Sequence, residues 1–336
     1  MENLNKPLEN ILLILIGRVG DYVITTPFIK TLRTKYPKAK ITLLISIKAQ
    51  QLALRNKDLD EVIIFENWTN ALANFKLLFL GGNKYDIAID LNPAFSRTSI
   101  GLMYLTKAPI RLTFEKKTTK KAYTHFIENA SNADEHFADK YTRMAKFLNA
   151  DYKRTMNIDV LQEDERIAEK LMSNLNMLSD KPTIAIHPGN FKKTGHRWPE
   201  EKFVALTKEL LKHTDANLFY LIGMGEETIT RKNILEHLPG VKFINPVTLG
   251  PTAAILKKTD LLICNSTGTL HIAAAVGTST FSFNTAYSLK CWKPEGENHF
   301  HAVGDWKSCQ SITVENALER FKEAFDYILL HRQTKT

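Results

Sequence analysis

Short apolar runs rich in β-branched residues alternate with helix-spaced segments along most of this chain. Ile11–Ile16, Ile41–Ile47, Val62–Phe65 and Ile87–Leu91 are nearly continuous apolar runs of strand length, the pattern of strands buried on both faces. Between the first two, Ile24, Phe28 and Leu32 recur at four-residue spacing, one face of a helix that Pro37 ends. The rhythm restarts after a polar stretch. Thr183–Ile186, Leu218–Ile222, Val241–Ile244 and Leu261–Cys264 predict a second set of strands, with helices at Phe203–Leu211 and Thr252–Lys258 between them. Leu161 to Lys181 is charged and helical in pattern. In Val314 to Leu330, Leu318, Phe321, Phe325, Ile328 and Leu329 form an apolar stripe, which predicts an amphipathic helix able to fold back across both halves.

Strand–helix–strand alternation of this kind implies parallel sheets covered by helices on both faces. Two such sets predict two α/β domains, residues 1–160 and 161–336, with a ligand cleft between the C-terminal ends of their strands. A length of 336 residues suits two domains of ordinary size.

Composition narrows the class. An apolar content of 44% and a charged content of 24% are those of a globular protein, and no apolar run reaches the roughly 20 residues of a membrane-spanning helix. Glu2, Lys6 and Glu9 precede the first apolar run with no cleavage site after it, so no signal peptide is expected. Cys264, Cys291 and Cys309 show neither pairing nor metal-ligand spacing, which predicts reduced thiols and a cytoplasmic protein. His299 and His301 stand two apart and read as surface residues. No metal and no cofactor are expected.

The net charge of +9 suits an anionic partner. Lys107, Arg111, Lys116, Lys117, Lys120 and Lys121 face only Glu115 in one segment. That segment reads either as a solvated loop or as a contact for an anionic partner. Aromatic residues are sparse within it, which argues against nucleic acid.

Candidate chemistry lies at four strand-to-helix turns. The first is Gly17-Arg18-Val19-Gly20-Asp21, followed by Thr25-Thr26-Pro27. Neither the dinucleotide fingerprint GxGxxG nor a Walker loop occurs here, and no acid ends the second strand, so a nicotinamide-dependent dehydrogenase is poorly supported. Asp21 reads as a helix cap or as a general base. The second turn runs from His187-Pro188-Gly189 to Arg197-Trp198-Pro199. Within it, Asn190, Lys192, Lys193, His196 and Arg197 suit a diphosphate leaving group. The third, Gly223-Met224-Gly225-Glu226-Glu227, offers Glu227 to a ribose. The fourth, Asn265-Ser266-Thr267-Gly268-Thr269-Leu270-His271, opens an alanine-rich helix, the setting of an anion site.

Taken in order, these motifs resemble glycosyltransferase family 9, the heptosyltransferase-type enzymes of lipopolysaccharide core assembly. Arg18-x-Gly20-Asp21 with Thr25-Thr26-Pro27 resembles the family's opening motif. His187-Pro188-Gly189 with Arg197-Trp198-Pro199-Glu200 resembles its mid-chain motif, and the Gly223 turn its nucleotide loop. Asn265 to Ala275 with Gly277-Thr278 resembles its most distinctive stretch.

The resemblance implies two Rossmann-like domains in the GT-B arrangement, the first binding acceptor and the second nucleotide-sugar. It implies inversion without an obligatory metal, with Asp21 as base. Thr267, Gly268 and His271 fall on diphosphate-contacting positions and Val247 near the adenine. Two positions depart from the family pattern: Ser266 stands where an acid is common and His196 where a lysine is common, leaving Lys192, Lys193 or Arg197 to supply the cation.

The expected reaction is transfer of a sugar, heptose from ADP-heptose, to a lipopolysaccharide core or related glycolipid. Arg18, Gly20, Lys116, Lys117, Lys120 and Lys121 would face the anionic acceptor or the inner membrane leaflet. A nucleotide-sugar epimerase on the same fold and a binding module without turnover are the alternatives.

Overall fold

The computed structural model describes residues 7–69, 81–82, 85–116, 121–129, 135–189, 194–223, 227–246 and 248–333. The candidate site residues Asn190, Lys192, Lys193, Val247, Lys117 and Lys120 therefore lie outside the described residues. Chain contacts divide the protein into two compact units, Met1–Asp159 and Val160–Thr336.

The first unit holds a parallel sheet of six strands: β1 (Asn10–Leu15), β2 (Lys40–Ser46), β3 (Glu61–Phe65), β4 (Ile87–Asp90), β5 (Ile110–Phe114) and β6 (His125–Ile127). Their order is β3-β2-β1-β4-β5-β6. Helices α1 (Val19–Lys35), α2 (Gln50–Ala53), α3 (Arg97–Thr106) and α4 (Phe137–Phe147) follow the strands. β1 is central because its side chains are buried on both faces from Ile11 to Leu15. α1 buries Tyr22, Val23, Phe28, Ile29 and Leu32.

Pro27 stands inside α1, where it has no N–H to give to the Val23 carbonyl four residues back. The Thr26 hydroxyl donates to that carbonyl at 2.7 Å and so replaces the lost bond. Thr25 donates likewise to the Tyr22 carbonyl at 2.6 Å. The Thr25-Thr26-Pro27 motif thus carries its own repair.

The second unit repeats the plan with β7 (Thr183–His187), β8 (Asn217–Leu221), β9 (Lys242–Ile244), β10 (Leu261–Asn265), β11 (Ser279–Asn284) and β12 (His299–Val303). The order is β12-β11-β10-β7-β8-β9, again all parallel. Its helices are α5 (Gln162–Ser173), α6 (Glu200–His213), α7 (Glu227–His237), α8 (Leu249–Lys257), α9 (Gly268–Ala275), α10 (Ala286–Trp292) and α11 (Val314–Gln333). In both sheets the first strand of the unit lies between the second and the fourth. α11 packs on α6 and on β10, β11 and β12, with Phe321 against Phe281.

Two sequence readings need correction. The basic segment 107–121 is not a single loop, because Ile110–Phe114 within it is the buried strand β5. The Arg111 guanidinium is spent on the Ala122 and Ala108 carbonyls, both at 2.7 Å. His299 and His301 are not surface residues either. They sit in β12, and burial pushes both imidazoles down to about 4. No helix among the described residues is long and apolar enough to cross a membrane.

Candidate functional site

In a parallel sheet of this order, ligand sites form at the C-terminal ends of the strands where the connections diverge to opposite sides. In the first unit that point lies between β1 and β4, which pair with Ile14 beside Asp90. The turn after β1 carries Gly17 to Asp21. The Arg18 N–H donates to Asp21 Oδ2 at 2.7 Å, so the carboxylate folds back over the start of α1. Gly17 makes this possible, since a Cβ there would stand 2.8 Å from Asp21 Oδ2 and 2.9 Å from its Cβ. Both sequence readings of Asp21 therefore stay compatible: it caps the helix through one oxygen, and it stands half-buried at the switch point. Arg18 is exposed at the N-cap, and Gly20 lies in the first turn of α1.

Across the switch point, β4 ends on Asp90, which is fully buried. Four donors converge on its carboxylate. Lys116 Nζ reaches Oδ2 at 2.6 Å and the Tyr123 hydroxyl at 2.7 Å, while the Asn92 N–H and side-chain amide reach Oδ1 at 3.0 and 2.7 Å. Asn92 also donates to Ser99 Oγ at 3.1 Å, which ties the start of α3 to the same point. Burial, then the Asp90 charge, makes Tyr123 a far weaker acid than usual. Nearby, the buried Tyr141 hydroxyl donates to the Leu91 carbonyl at 3.0 Å. Its acidity is suppressed by burial and then by the Asp21 charge.

Lys116 is thus turned inward onto Asp90, its side chain only 3% exposed. Lys121 is exposed. The Asp90 network was missed from sequence, although an acid closing an apolar strand, Ile87-Ala88-Ile89-Asp90, is the pattern of a buried carboxylate in need of partners.

In the second unit the switch point lies between β7 and β10, with His187 beside Cys264. His187 Nδ1 donates to the Leu221 carbonyl at 2.8 Å, which fixes the ring. The buried Asn265 ends β10 and ties together the two ends of the loop after β7. Its oxygen accepts the Trp198 N–H at 2.7 Å, and its amide donates to the Pro188 carbonyl at 2.9 Å. Trp198 stacks on Phe283 with centroids 3.9 Å apart, and its indole N–H donates to the Ile312 carbonyl at 2.9 Å. Pro188 and Trp198 are therefore held to the same side chain. Arg197, half-buried, precedes this anchored tryptophan. Sequence reasoning named Asn265 within its motif but assigned it no role.

Directly after Asn265, the Ser266 N–H donates to the Phe283 carbonyl at 3.2 Å, and Thr267 becomes the N-cap of α9. The Thr267 side chain makes no capping bond, and its buried hydroxyl has no hydrogen-bond partner among the described residues. The first-turn N–H groups at Gly268 and Thr269 are therefore not satisfied by the cap. Gly268 and Thr269 are half-buried, while His271 is buried in the same turn. An uncapped helix start with small side chains is an anion site in waiting. Glu227 opens α7, and its side chain lies outside the described residues.

Comparison with known proteins identifies the family and the fold. The family model Glycosyltransferase family 9 (heptosyltransferase) matches residues 78–320. A Haemophilus influenzae protein named only as a glycosyltransferase candidate is 26% identical over 343 residues, spanning 93% of this chain and 95% of that protein. The family 9 glycosyl transferase of Veillonella parvula superposes with a TM-score of 0.81 at 19% identity, covering 98% of this chain and 99% of the other. The Escherichia coli ADP-heptose lps heptosyltransferase II does so with 0.74 at 18% identity, covering 96% and 99%. With most of its length inside the family model and both sheets in the GT-B pattern, the chain belongs to glycosyltransferase family 9 and is a glycosyltransferase of the heptosyltransferase type.

Proposed function

We propose that the protein transfers heptose from ADP-heptose to a lipopolysaccharide-core acceptor, with the donor on the second unit and the acceptor on the first. The observation that carries this reading is the Asp21 carboxylate, set at the switch point of the first sheet by the Arg18 N–H and the absence of a side chain at Gly17. One oxygen takes the helix N–H, and the other receives the acceptor's proton. As that proton moves to Asp21, the acceptor oxygen bonds to the anomeric carbon from the face opposite the diphosphate. The carbon–oxygen bond to the diphosphate breaks with its electron pair, so ADP leaves and the anomeric configuration inverts.

Negative charge grows on the leaving diphosphate, and the start of α9 suits it. The Gly268 and Thr269 N–H groups, the Thr267 hydroxyl, which has no partner among the described residues, Ser266 and His271 form a preorganised anion cradle. Lys192, Lys193 and Arg197 supply cations from the loop after β7 and Asn190 a neutral amide, Glu227 holds the ribose, and Val247 contacts the adenine. Arg18, Gly20, Lys117, Lys120 and Lys121 meet the anionic acceptor, at the inner face of the cytoplasmic membrane. Lys116, held by Asp90, acts on the acceptor only through the loop it anchors.

Asp21→Asn tests the base. The amide oxygen still accepts the Arg18 N–H, so the helix start is retained. Transfer from ADP-heptose is expected to fall about a thousandfold, as for loss of a general base, with ADP affinity unchanged by calorimetry. Equal loss of both would remove Asp21 from the chemistry, and a changed sugar released from donor alone would favour an epimerase.

A further inference from the structure

The C-terminal ends of β11 and β12 carry an aromatic pair that neither the base nor the diphosphate cradle uses. Tyr287 lies in the first turn of α10, and Trp306 lies in the loop after β12. Their rings meet edge to face with centroids 5.7 Å apart and an interplanar angle of 73°. Trp306 is 45% exposed, while Tyr287 is half-buried beneath it.

This pair is rigidly built. The Ala286 N–H donates to the Asp305 carbonyl at 3.0 Å and the Tyr287 N–H to the Trp306 carbonyl at 3.3 Å, so the two segments run together as a clamped corner. The Gly304 N–H donates to the Asn284 carbonyl at 2.9 Å, fixing the start of the loop to the end of β11. Gly304 is required there, because a Cβ would stand 2.4 Å from the Ser308 carbonyl oxygen and 3.0 Å from Cys309 Cα. At its far end the loop is tied to the basic loop after β7: the Cys309 N–H donates to the Gly195 carbonyl and its thiol to the His196 carbonyl, both at 3.3 Å. An exposed indole on a loop fixed at both ends, beside a second ring, is a prepaid recognition surface.

Its position says what it recognises. In the sheet order β12-β11-β10-β7-β8-β9, the α9 start follows β10. Neighbouring strands lie about 4.8 Å apart, so the end of β12, which leads to Trp306, stands roughly 10 Å from the end of β10, with the end of β11, which leads to Tyr287, between them. If the diphosphate lies on α9 and the adenosine extends toward β9, the group bonded to the other end of the diphosphate extends toward β11 and β12. That group is a sugar. One face of a sugar ring presents C–H bonds, which pack on an aromatic face, while its hydroxyls turn to the charged groups flanking it. Here those are the exposed Asp305 and Lys307.

We propose that Trp306, braced edge to face by Tyr287, supplies the stacking face for the sugar ring of the nucleotide-sugar donor. The inference rests on the donor assignment made above, and it adds the residues that distinguish a nucleotide-sugar from the nucleotide alone.

Calorimetric titration of wild type, Trp306→Ala and Trp306→Phe with ADP and with ADP-heptose, without acceptor, tests it. Trp306→Ala is expected to weaken ADP-heptose about tenfold and to leave ADP within about twofold, with Trp306→Phe recovering most of the loss. The retained ADP affinity also reports that the variant is folded. Equal weakening of both ligands, or no weakening of either, overturns the stacking role. Failure of wild type to bind ADP is a different result, visible without any variant, and it removes the donor assignment together with the inference built on it.

Discussion

The two sheets have the same strand order and open at the same place, yet the two switch points are held in opposite ways. Under the first, a buried carboxylate gathers four donors, one of them the Lys116 ammonium. Under the second, a neutral amide, Asn265, links the loop after β7 to itself across ten residues, accepting from Trp198 and donating to Pro188. A buried ion pair is strong only while both partners remain, because each charge has given up its water. An amide gives up less and satisfies fewer groups. The first arrangement fixes one loop tightly around a single charge, beside the point where Asp21 stands. The second spans a longer basic loop and adds no charge next to the site proposed for a diphosphate. A carboxylate in place of Asn265 would repel that ligand.

The largest expected effect breaks the first arrangement. Asp90→Asn keeps the shape but leaves Lys116 buried without its counter-charge, and unfolding stability should fall by roughly 3–5 kcal/mol in urea titration. Asp90→Asn combined with Lys116→Met should recover most of it, since the stranded charge is gone. If the single and double variants are equally destabilised, the pair is not the source of the loss and the contrast between the units fails.

Asn265 should show a smaller loss with a different signature. Asn265→Leu leaves the Trp198 N–H and the Pro188 carbonyl without partners, at about 1–3 kcal/mol for each buried group. Asn265→Asp keeps the acceptor for Trp198 but turns an oxygen toward the Pro188 carbonyl. The neutral acid is then favoured in the folded state, and its pKa is raised above the unfolded value of about 3.9. Stability is fullest below that unfolded value and is lost as pH rises through the folded one. Thermal melts between pH 3.5 and 7 check the sign, and a pH-independent loss would show that Asn265 is not packed against those carbonyls.

This contrast also sets how much the sequence discloses. The central strands were legible because burial on both faces demands unbroken apolar runs, as in Ile11–Ile16. β5 was hidden because Arg111 interrupts it and lysines flank it, although the guanidinium folds back onto local carbonyls. β11 and β12 were hidden for a related reason: Thr280, Ser282, His299 and His301 alternate with Phe281 and Phe300 as a half-polar pattern does, yet Thr280 and Ser282 are buried and the two histidines half-buried. Strand-to-helix turns such as Gly17 to Asp21 and Ser266 to His271 could be placed because their signals lie in neighbouring residues. The Asp90 network could not, since Lys116 and Tyr123 are 26 and 33 residues away and only the β4–β5 pairing brings them in.

The smallest effect concerns those hidden polar strands. His299 Nδ1 meets the Thr280 hydroxyl and His301 Nδ1 the Ser282 hydroxyl, each at 2.9 Å, across the β11–β12 pair. Burial lowers both imidazoles to about 4, with the neighbouring His299 and Lys293 charges adding to the effect at His301. Unfolded histidine titrates near 6.5, so between about 6.5 and 4 the unfolded chain binds protons that the folded one refuses. Stability in the second unit therefore declines as pH falls through that window and levels off below it. The ceiling is a few kcal/mol, because each pKa unit corresponds to about 1.4 kcal/mol. Melting at pH 7 and at pH 4.5 should show wild type losing several degrees, and the double variant His299→Gln/His301→Gln losing less. Glutamine keeps a polar group beside Thr280 and Ser282 and cannot titrate, so an unchanged pH slope would assign the acid sensitivity to the carboxylate networks of the first unit instead.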